Sequence, residues 1–145
     1  MEIGIVGLPR SGKTTIFNAV TRGNASVASY SDKTNVGVAK VPDERLGTLA
    51  GMYNPRRVVP AEMRYTDVPS PPDGLEKSRG IGGEYLNTLQ SVDALLVVVR
   101  GFENSSVSHV DETIDPLRDA ENMVIELIFA DLDILDRRLV RIKES

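Results

Sequence analysis

Apolar positions near the start of the chain change from a strand pattern to a helix pattern. Ile3 to Val6 form a short apolar run that predicts a buried strand. After a glycine-containing turn, Ile16, Phe17 and Val20 recur at helical spacing. The chain therefore begins with a strand, a loop and a helix.

The middle of the chain predicts further short strands and helices, separated by a polar stretch from Arg22 to Thr34 and by a long loop rich in proline and glycine. The last strand is apolar on both faces, which is typical of a central strand in a parallel sheet covered by helices on both sides. In chain order these elements are a strand with Val36, Val38 and Val41, a helix that opens at Pro42-Asp43 and runs through Leu46, Leu49 and Ala50, an alternating strand from Ala61 to Thr66 that ends at Asp67, a helix around Tyr85, Leu86 and Leu89, and a strand from Asp93 to Val99.

The remainder of the chain, from Pro116, has the pattern of one long helix. Two interpretations of its apolar stripe stay open: the stripe covers the sheet, or it forms half of an antiparallel helical pair. The stripe consists of Val124, Ile128, Leu132, Leu135, Leu139 and Ile142. With about four strands, the pattern predicts an α/β fold of three layers that is partial, since a complete domain of this type has six or so.

Composition and charge exclude several classes of protein. A net charge of −4 and a pI near 5.0 give no overall attraction to nucleic acid, although a local basic patch at Arg56-Arg57 remains open. Cysteine is absent and His109 is the single histidine, so any metal is expected to have oxygen ligands. The longest apolar run, Ala94 to Val99, is too short to span a membrane, and the N-terminus lacks a signal pattern, so we expect a cytoplasmic protein.

The turn after the first strand reads Gly-x-x-x-x-Gly-Lys-Thr, from Gly7 to Thr14. The glycines of this pattern let backbone N–H groups curl around phosphate oxygens, the following helix directs its positive end at them, and the lysine supplies a point charge. The alternative is a structural turn in which Lys13 is merely solvated. We predict a site for nucleoside triphosphate phosphates and Mg²⁺, formed by Pro9, Arg10, Ser11, Gly12, Lys13, Thr14 and Thr15.

Two groups of this site are candidate magnesium ligands. Thr14 supplies a hydroxyl next to the phosphates. Asp67 stands at the end of a predicted strand, where a carboxylate can hold magnesium through a water molecule.

With these residues in view, the sequence resembles the YchF family, the Obg-like ATPases among the translation-factor-related P-loop NTPases, along nearly its whole length. The family reads roughly G-L-P-N-V-G-K-S-T-L-F-N-A at its phosphate loop, and Gly7 to Ala19 here reads GLPRSGKTTIFNA, with Arg10 and Ser11 as departures. Further similar strings are Asn35-Val36-Gly37-Val38, Val41-Pro42-Asp43, Arg57-Val58-Val59-Pro60-Ala61, Val92-Asp93-Ala94, Val98-Val99-Arg100 with Phe102-Glu103, and Asp115-Pro116-Leu117-Arg118-Asp119 followed by Glu126-Leu127 and Ala130-Asp131-Leu132.

The resemblance implies a purine nucleotide, ATP or GTP, as the ligand, slow hydrolysis at most, and a ribosome or protein partner. It implies a P-loop domain over residues 1–115 and a helix leading into a coiled-coil arm over residues 116–145. The chain stops within that arm, before the family's base-reading Asn-x-x-Glu motif, so the choice between ATP and GTP stays open.

The two segments that correspond to the family's switch regions depart from the family's sequence. In the first switch, strict counting places Ser31 at the family's threonine, whereas Thr34 is the better chemical match for a magnesium ligand. In the second, the family's D-x-A-G-L becomes Asp67-Val68-Pro69-Ser70-Pro71, which removes the glycine whose N–H meets the γ-phosphate. Pro71 falls at the family's apolar residue, so no side chain there is an obvious catalyst.

Three functional hypotheses follow. The first is a magnesium-dependent nucleotide-binding P-loop domain with slow hydrolysis. The second is a non-hydrolysing module that senses nucleotide or binds a protein, which the prolines of the second switch favour. The third is a domain that needs further strands, in which an exposed sheet edge or the terminal helix invites a homodimer.

Overall fold

A computed structural model describes residues 1–23, 34–69, 83–109 and 113–144 of the chain. Within these ranges, strands and helices alternate as the periodicity predicts. The elements are β1 (Glu2–Val6), α1 (Lys13–Thr21), β2 (Asn35–Lys40), α2 (Glu44–Tyr53), β3 (Glu62–Asp67), α3 (Gly83–Ser91), β4 (Ala94–Val97) and α4 (Pro116–Glu144).

The described strands form one mixed sheet in the order β2-β3-β1-β4. β1 pairs in parallel with both β3 and β4, whereas β2 runs antiparallel to β3. Because parallel strands end on the same side of a sheet, the residues that follow β1, β3 and β4 lie together at the carboxyl ends of these strands. The phosphate loop lies at this end of the sheet.

Helices cover both faces of the sheet at β1, where Ile5 and Val6 are 0% and 1% exposed. Neighbouring strand residues point to opposite faces. Val6 packs with Val68, which directly follows β3, and with Met123 of α4, and α3 adds Tyr85 and Leu89 to this cluster. The register places Gly37 on the other face, with Ile5, and a side chain at Gly37 would meet Phe17 and Thr21 of α1. The predicted three-layer α/β fold is confirmed.

The position of β4 differs from the central strand predicted for Asp93 to Val99. β4 spans only Ala94–Val97 and lies at an edge of the described sheet. Leu95 and Leu96, which point to opposite faces, are 37% and 38% exposed. The apolar run correctly indicates a strand with two apolar faces, but among the described residues no further strand lies beside it. The order of strands depends on long-range pairing that periodicity does not contain.

The short helix α2 begins and ends where its sequence provides capping groups. The Asp43 side chain accepts a hydrogen bond from the Arg45 N–H at 3.0 Å, as expected for a helix N-cap. At the other end Asn54 adopts φ 45°, and its N–H donates to the Ala50 carbonyl. The prediction that this helix opens at Pro42-Asp43 is confirmed.

Helix α4 uses a different face for packing than its predicted stripe. Met123 and Ala130 are 2% and 3% exposed, one heptad apart, and they face the core. The predicted stripe is exposed along its whole length, at 49–65% for Val124, Ile128, Leu132, Leu135, Leu139 and Ile142. The first half of α4 therefore does cover the sheet, but it does so through residues adjacent to the stripe.

A buried carboxylate fixes the start of α4. Asp119 is 1% exposed, and its Oδ1 accepts from Arg118 Nη2 at 2.9 Å. Its Oδ2 lies 2.9 Å from Nε2 of His109, a side chain that is 6% exposed. Because a buried carboxylate without partners is costly, these contacts hold α4 next to His109.

Among the described residues, no helix combines the length and the apolar character that crossing a membrane requires.

Met123→Ala is expected to lower the free energy of unfolding by about 2–5 kcal/mol, because it leaves a cavity in the core. Ile128→Ala is the matched control on the same helix, and it should change stability by less than about 0.5 kcal/mol because Ile128 is 59% exposed. Urea unfolding followed by circular dichroism measures both. A loss in Ile128→Ala as large as that in Met123→Ala would show that the stripe packs as Met123 does and would contradict this assignment of the buried face.

Candidate phosphate-binding site

The phosphate loop begins at the end of β1, where only glycine fits. Gly7 has φ 156°, and a Cβ at this position would lie 2.2 Å from the carbonyl oxygen of Val98. Gly12 has φ 102° and precedes the first residue of α1, with no side chain capping the helix. The first N–H groups of α1 are thus directed into the loop without a side-chain acceptor at the cap position.

Lys13 points back into this loop and is buried. Its Nζ donates to the carbonyl oxygens of Gly7 at 3.0 Å and Leu8 at 3.1 Å, and the residue is 8% exposed. Burial lowers the pKa of Lys13 to about 8, and the nearby Asp67 carboxylate opposes that shift. Lys13 is therefore not merely solvated, as the alternative of a structural turn supposes.

The pairing of β1 with β3 brings Asp67 to the first turn of α1. Ile5 and Asp67 are neighbours in the parallel register, and Asp67 is 5% exposed. The Thr14 hydroxyl donates to Asp67 Oδ2 at 2.7 Å. The Asn35 amide of β2 donates to the same oxygen at 3.5 Å, a long contact. The two predicted magnesium residues, Thr14 and Asp67, are thus in direct contact.

Ser11 contributes a buried hydroxyl to the loop. The residue is 7% exposed, and its Oγ has no hydrogen-bond partner among the described residues. A buried polar atom without a partner is rare and requires an explanation. In a loop built from glycines, a lysine and a helix N-terminus, this hydroxyl fits a phosphate oxygen as its acceptor.

Arg10 is the exposed residue of the loop and adopts φ 64°, a left-handed conformation that non-glycine residues seldom take. Its Nη1 donates to Ser108 Oγ at 2.6 Å and to the Ser108 carbonyl at 3.3 Å. The loop is therefore connected to the segment that follows β4.

The structure places the other predicted site residues around this centre. Pro9 is half-buried within the loop, and Thr15 is exposed on α1. Thr34 is half-buried and directly precedes Asn35, whose side chain reaches Asp67. Ser31, Ser70 and Pro71 lie outside the described residues.

Sequence reasoning missed two neighbours of the site, Asn35 and Ser108. Asn35 reaches Asp67 because β2 starts beside the end of β3, and Ser108 reaches Arg10 because β1 and β4 end at the same edge. The parallel pairing of β1 with β4 is the signal that could have placed the segment after β4 near the loop.

The oxygen atoms of Thr14 and Asp67 suit magnesium, which prefers hard oxygen ligands and retains several waters. Among the described residues, no group of three or more histidine or acidic side chains converges on a common point.

Comparison with known proteins agrees with this geometry. The family model of the 50S ribosome-binding GTPase matches residues 2–130. The Ribosome-binding ATPase YchF of Bacillus subtilis is 40% identical over 147 residues, which cover 99% of this chain and 40% of the relative. Its counterpart in Haemophilus ducreyi is 42% identical over 146 residues, with the same shares of the two chains.

A solved structure gives the same result for the fold. The Schizosaccharomyces pombe YchF GTPase superposes with a TM-score of 0.68 at 31% identity, covering 99% of this chain and 39% of that one. The chain therefore spans about 40% of the length of the relatives that it matches. The chain is similar to YchF proteins along nearly its whole length. The match of the family model over most of the sequence shows that the chain belongs to the 50S ribosome-binding GTPase family.

Proposed function

We propose that this chain binds the triphosphate of a purine nucleotide, ATP or GTP, together with Mg²⁺, and that it hydrolyses the nucleotide slowly. The observation that carries the proposal is the buried ammonium of Lys13 inside a loop that also holds the unpaired Ser11 hydroxyl. A buried charge is costly, and phosphate oxygens are the acceptors that such a loop accommodates. The family and the YchF relatives, named as GTPases and ATPases, support this proposal.

The proposed metal site uses Thr14 and Asp67. The Thr14 hydroxyl lies at the first turn of α1, and Asp67 lies beside it at the end of β3. Magnesium supplies charge neutralisation between phosphate oxygens when it is bound. Thr34 is a further candidate ligand from the start of β2.

Hydrolysis is expected to be slow because the described part of the site contains no side chain suited to activate water. Lys13 and Ser11 face the phosphate positions, and Asp67 is engaged with Thr14. P-loop enzymes of this kind depend on positioning and charge stabilisation. We propose that the domain supplies these two, and that turnover is slow because the described residues offer no side chain that orients water.

Lys13→Ala is expected to weaken binding of a fluorescent purine triphosphate by about 10- to 100-fold, as loss of a charged hydrogen bond predicts. Lys143→Ala, at an exposed lysine near the end of α4, should leave affinity unchanged. Fluorescence titration measures both, and repeating it with magnesium chelated tests the metal. Unchanged affinity in Lys13→Ala would end the proposal. Multiple turnovers that disappear in this variant would show hydrolysis.

The lowered pKa of Lys13 predicts how binding changes with pH. Only the protonated amine attracts phosphate, so affinity should be constant below pH 8 and fall by about tenfold per pH unit above it. The fall ends at the pKa of the bound state, which phosphate charges raise. Lys13→Arg stays protonated and should bind without this pH dependence. Titrations between pH 7 and 9.5 measure it, and equal slopes in both proteins would show that Lys13 is not the responsible group.

We also propose that the chain binds the ribosome through the exposed surface from Met52 to Val59. The relatives of this chain are named as ribosome-binding proteins. Met52 and Tyr53 are 71% and 76% exposed, and Val59 is 59% exposed. Arg56 and Arg57 are exposed and form no ion pair with the described residues. Arginines beside an exposed aromatic ring suit RNA, because they bind phosphate while the ring stacks on bases. In a chain of net charge −4, such a local patch is what RNA contact requires.

Arg56→Ala/Arg57→Ala is expected to reduce co-sedimentation with ribosomes and to lower the slope of log affinity against log salt by about 2, one for each lost phosphate contact. Arg138→Ala/Arg141→Ala removes the same charge from exposed positions on α4 and serves as the control. If both double variants lose the same affinity, the contact is a general charge effect and the surface from Met52 to Val59 is not the ribosome site.

A further inference from the structure

The backbone of Arg10 belongs to the phosphate loop, but its side chain contacts a residue outside that loop. Arg10 lies three residues before Lys13, yet its guanidinium binds the hydroxyl and the carbonyl of Ser108. No carboxylate of the described residues forms an ion pair with it. The positive charge of Arg10 is therefore held by two neutral acceptors.

Neutral acceptors compete poorly with a phosphate. Both acceptors would receive a hydrogen bond from a charged donor, but an anionic phosphate oxygen adds the attraction between opposite charges that Ser108 lacks, and arginine matches phosphate in two-pronged geometry. A triphosphate in the loop would offer Arg10 such oxygens next to the group that Lys13 binds. The contact with Ser108 is the weaker of the two interactions available to Arg10.

Other contacts hold the 101–109 segment, which follows β4, independently of the loop. Arg100 is 3% exposed and donates to the carbonyls of Phe102 at 3.1 Å and Asn104 at 3.3 Å. At the far end His109 binds Asp119 of α4. Arg10 adds a connection between this segment and the phosphate loop, and the segment stays anchored at both ends when that connection is broken.

We propose that Arg10 is a positioning residue with two alternative acceptors, and that bound phosphate draws it away from Ser108. The inference rests on the proposed nucleotide binding. Occupation of the phosphate loop then breaks the connection of this loop to Ser108, the residue before His109, whose side chain contacts Asp119 of α4. Because coupling between two equilibria is reciprocal, removing the Ser108 hydroxyl, the nearer of the two acceptors, must strengthen nucleotide binding.

The test is a double-mutant cycle on nucleotide affinity with the whole chain and a fluorescent purine triphosphate. Ser108→Ala should tighten binding about two- to fivefold, the range that one exposed hydrogen bond to a charged group allows. Arg10→Asn should weaken binding, since asparagine tolerates the left-handed conformation but lacks the charge. Adding Ser108→Ala to Arg10→Asn should then change nothing.

Ser106→Ala is the matched control, because Ser106 is exposed in the same segment and its hydroxyl has no partner among the described residues. A merely structural role for Ser108 predicts weaker binding in Ser108→Ala, which is the opposite sign. Affinity equal to that of Ser106→Ala, or the same gain with and without Arg10, would overturn the inference. Arg10→Lys should recover part of the lost affinity.

Hydrogen exchange gives a second readout. Nucleotide should raise the exchange of the Val107 amide, which neighbours Ser108 and donates to the Asn104 carbonyl, in the unmodified chain. In Arg10→Asn this exchange should be high from the start and should not respond. Absence of nucleotide binding by the unmodified chain would refute the proposed function itself. Normal binding with unchanged exchange around Ser108 would refute the role of Arg10 alone.

Discussion

The parallel pairing of β1 with β3 is the constraint on which the site depends. It sets Asp67 next to Ile5, one strand away from the phosphate loop, and so brings the carboxylate to the Thr14 hydroxyl. The same pairing buries Asp67 near the ammonium of Lys13, where the two charges partly compensate for each other's loss of water. A slip of one residue in this register would turn Asp67 to the opposite face.

The phosphate loop and most of the secondary structure were predictable because their signals are local. The pattern of Gly7, Gly12 and Lys13 can be recognised within a few successive residues of the sequence. The Asp43 cap and the strand that ends at Asp67 are likewise encoded over short distances. Such elements require no knowledge of which strand pairs with which.

The remainder depends on contacts between distant parts of the chain. The pairing and order of the strands determine three such features. These are the edge position of β4, the antiparallel direction of β2 and the hydrogen bond of Arg10 to Ser108. The buried face of α4 was missed for a different reason. Its helix carries apolar residues on more than one face, so periodicity identifies a helix without choosing between Met123 and the neighbouring stripe.

The close approach of Gly7 to β4 has a consequence for how this sequence can change over evolution. The atom that excludes a side chain at Gly7 is the carbonyl oxygen of Val98, which every amino acid possesses. No replacement at Val98 could therefore make room for a larger residue in the loop, and compensating pairs of substitutions are unavailable here. Conversely, the side chain at Val98 can be replaced without affecting this contact, whereas Gly7 is required by the backbone geometry alone.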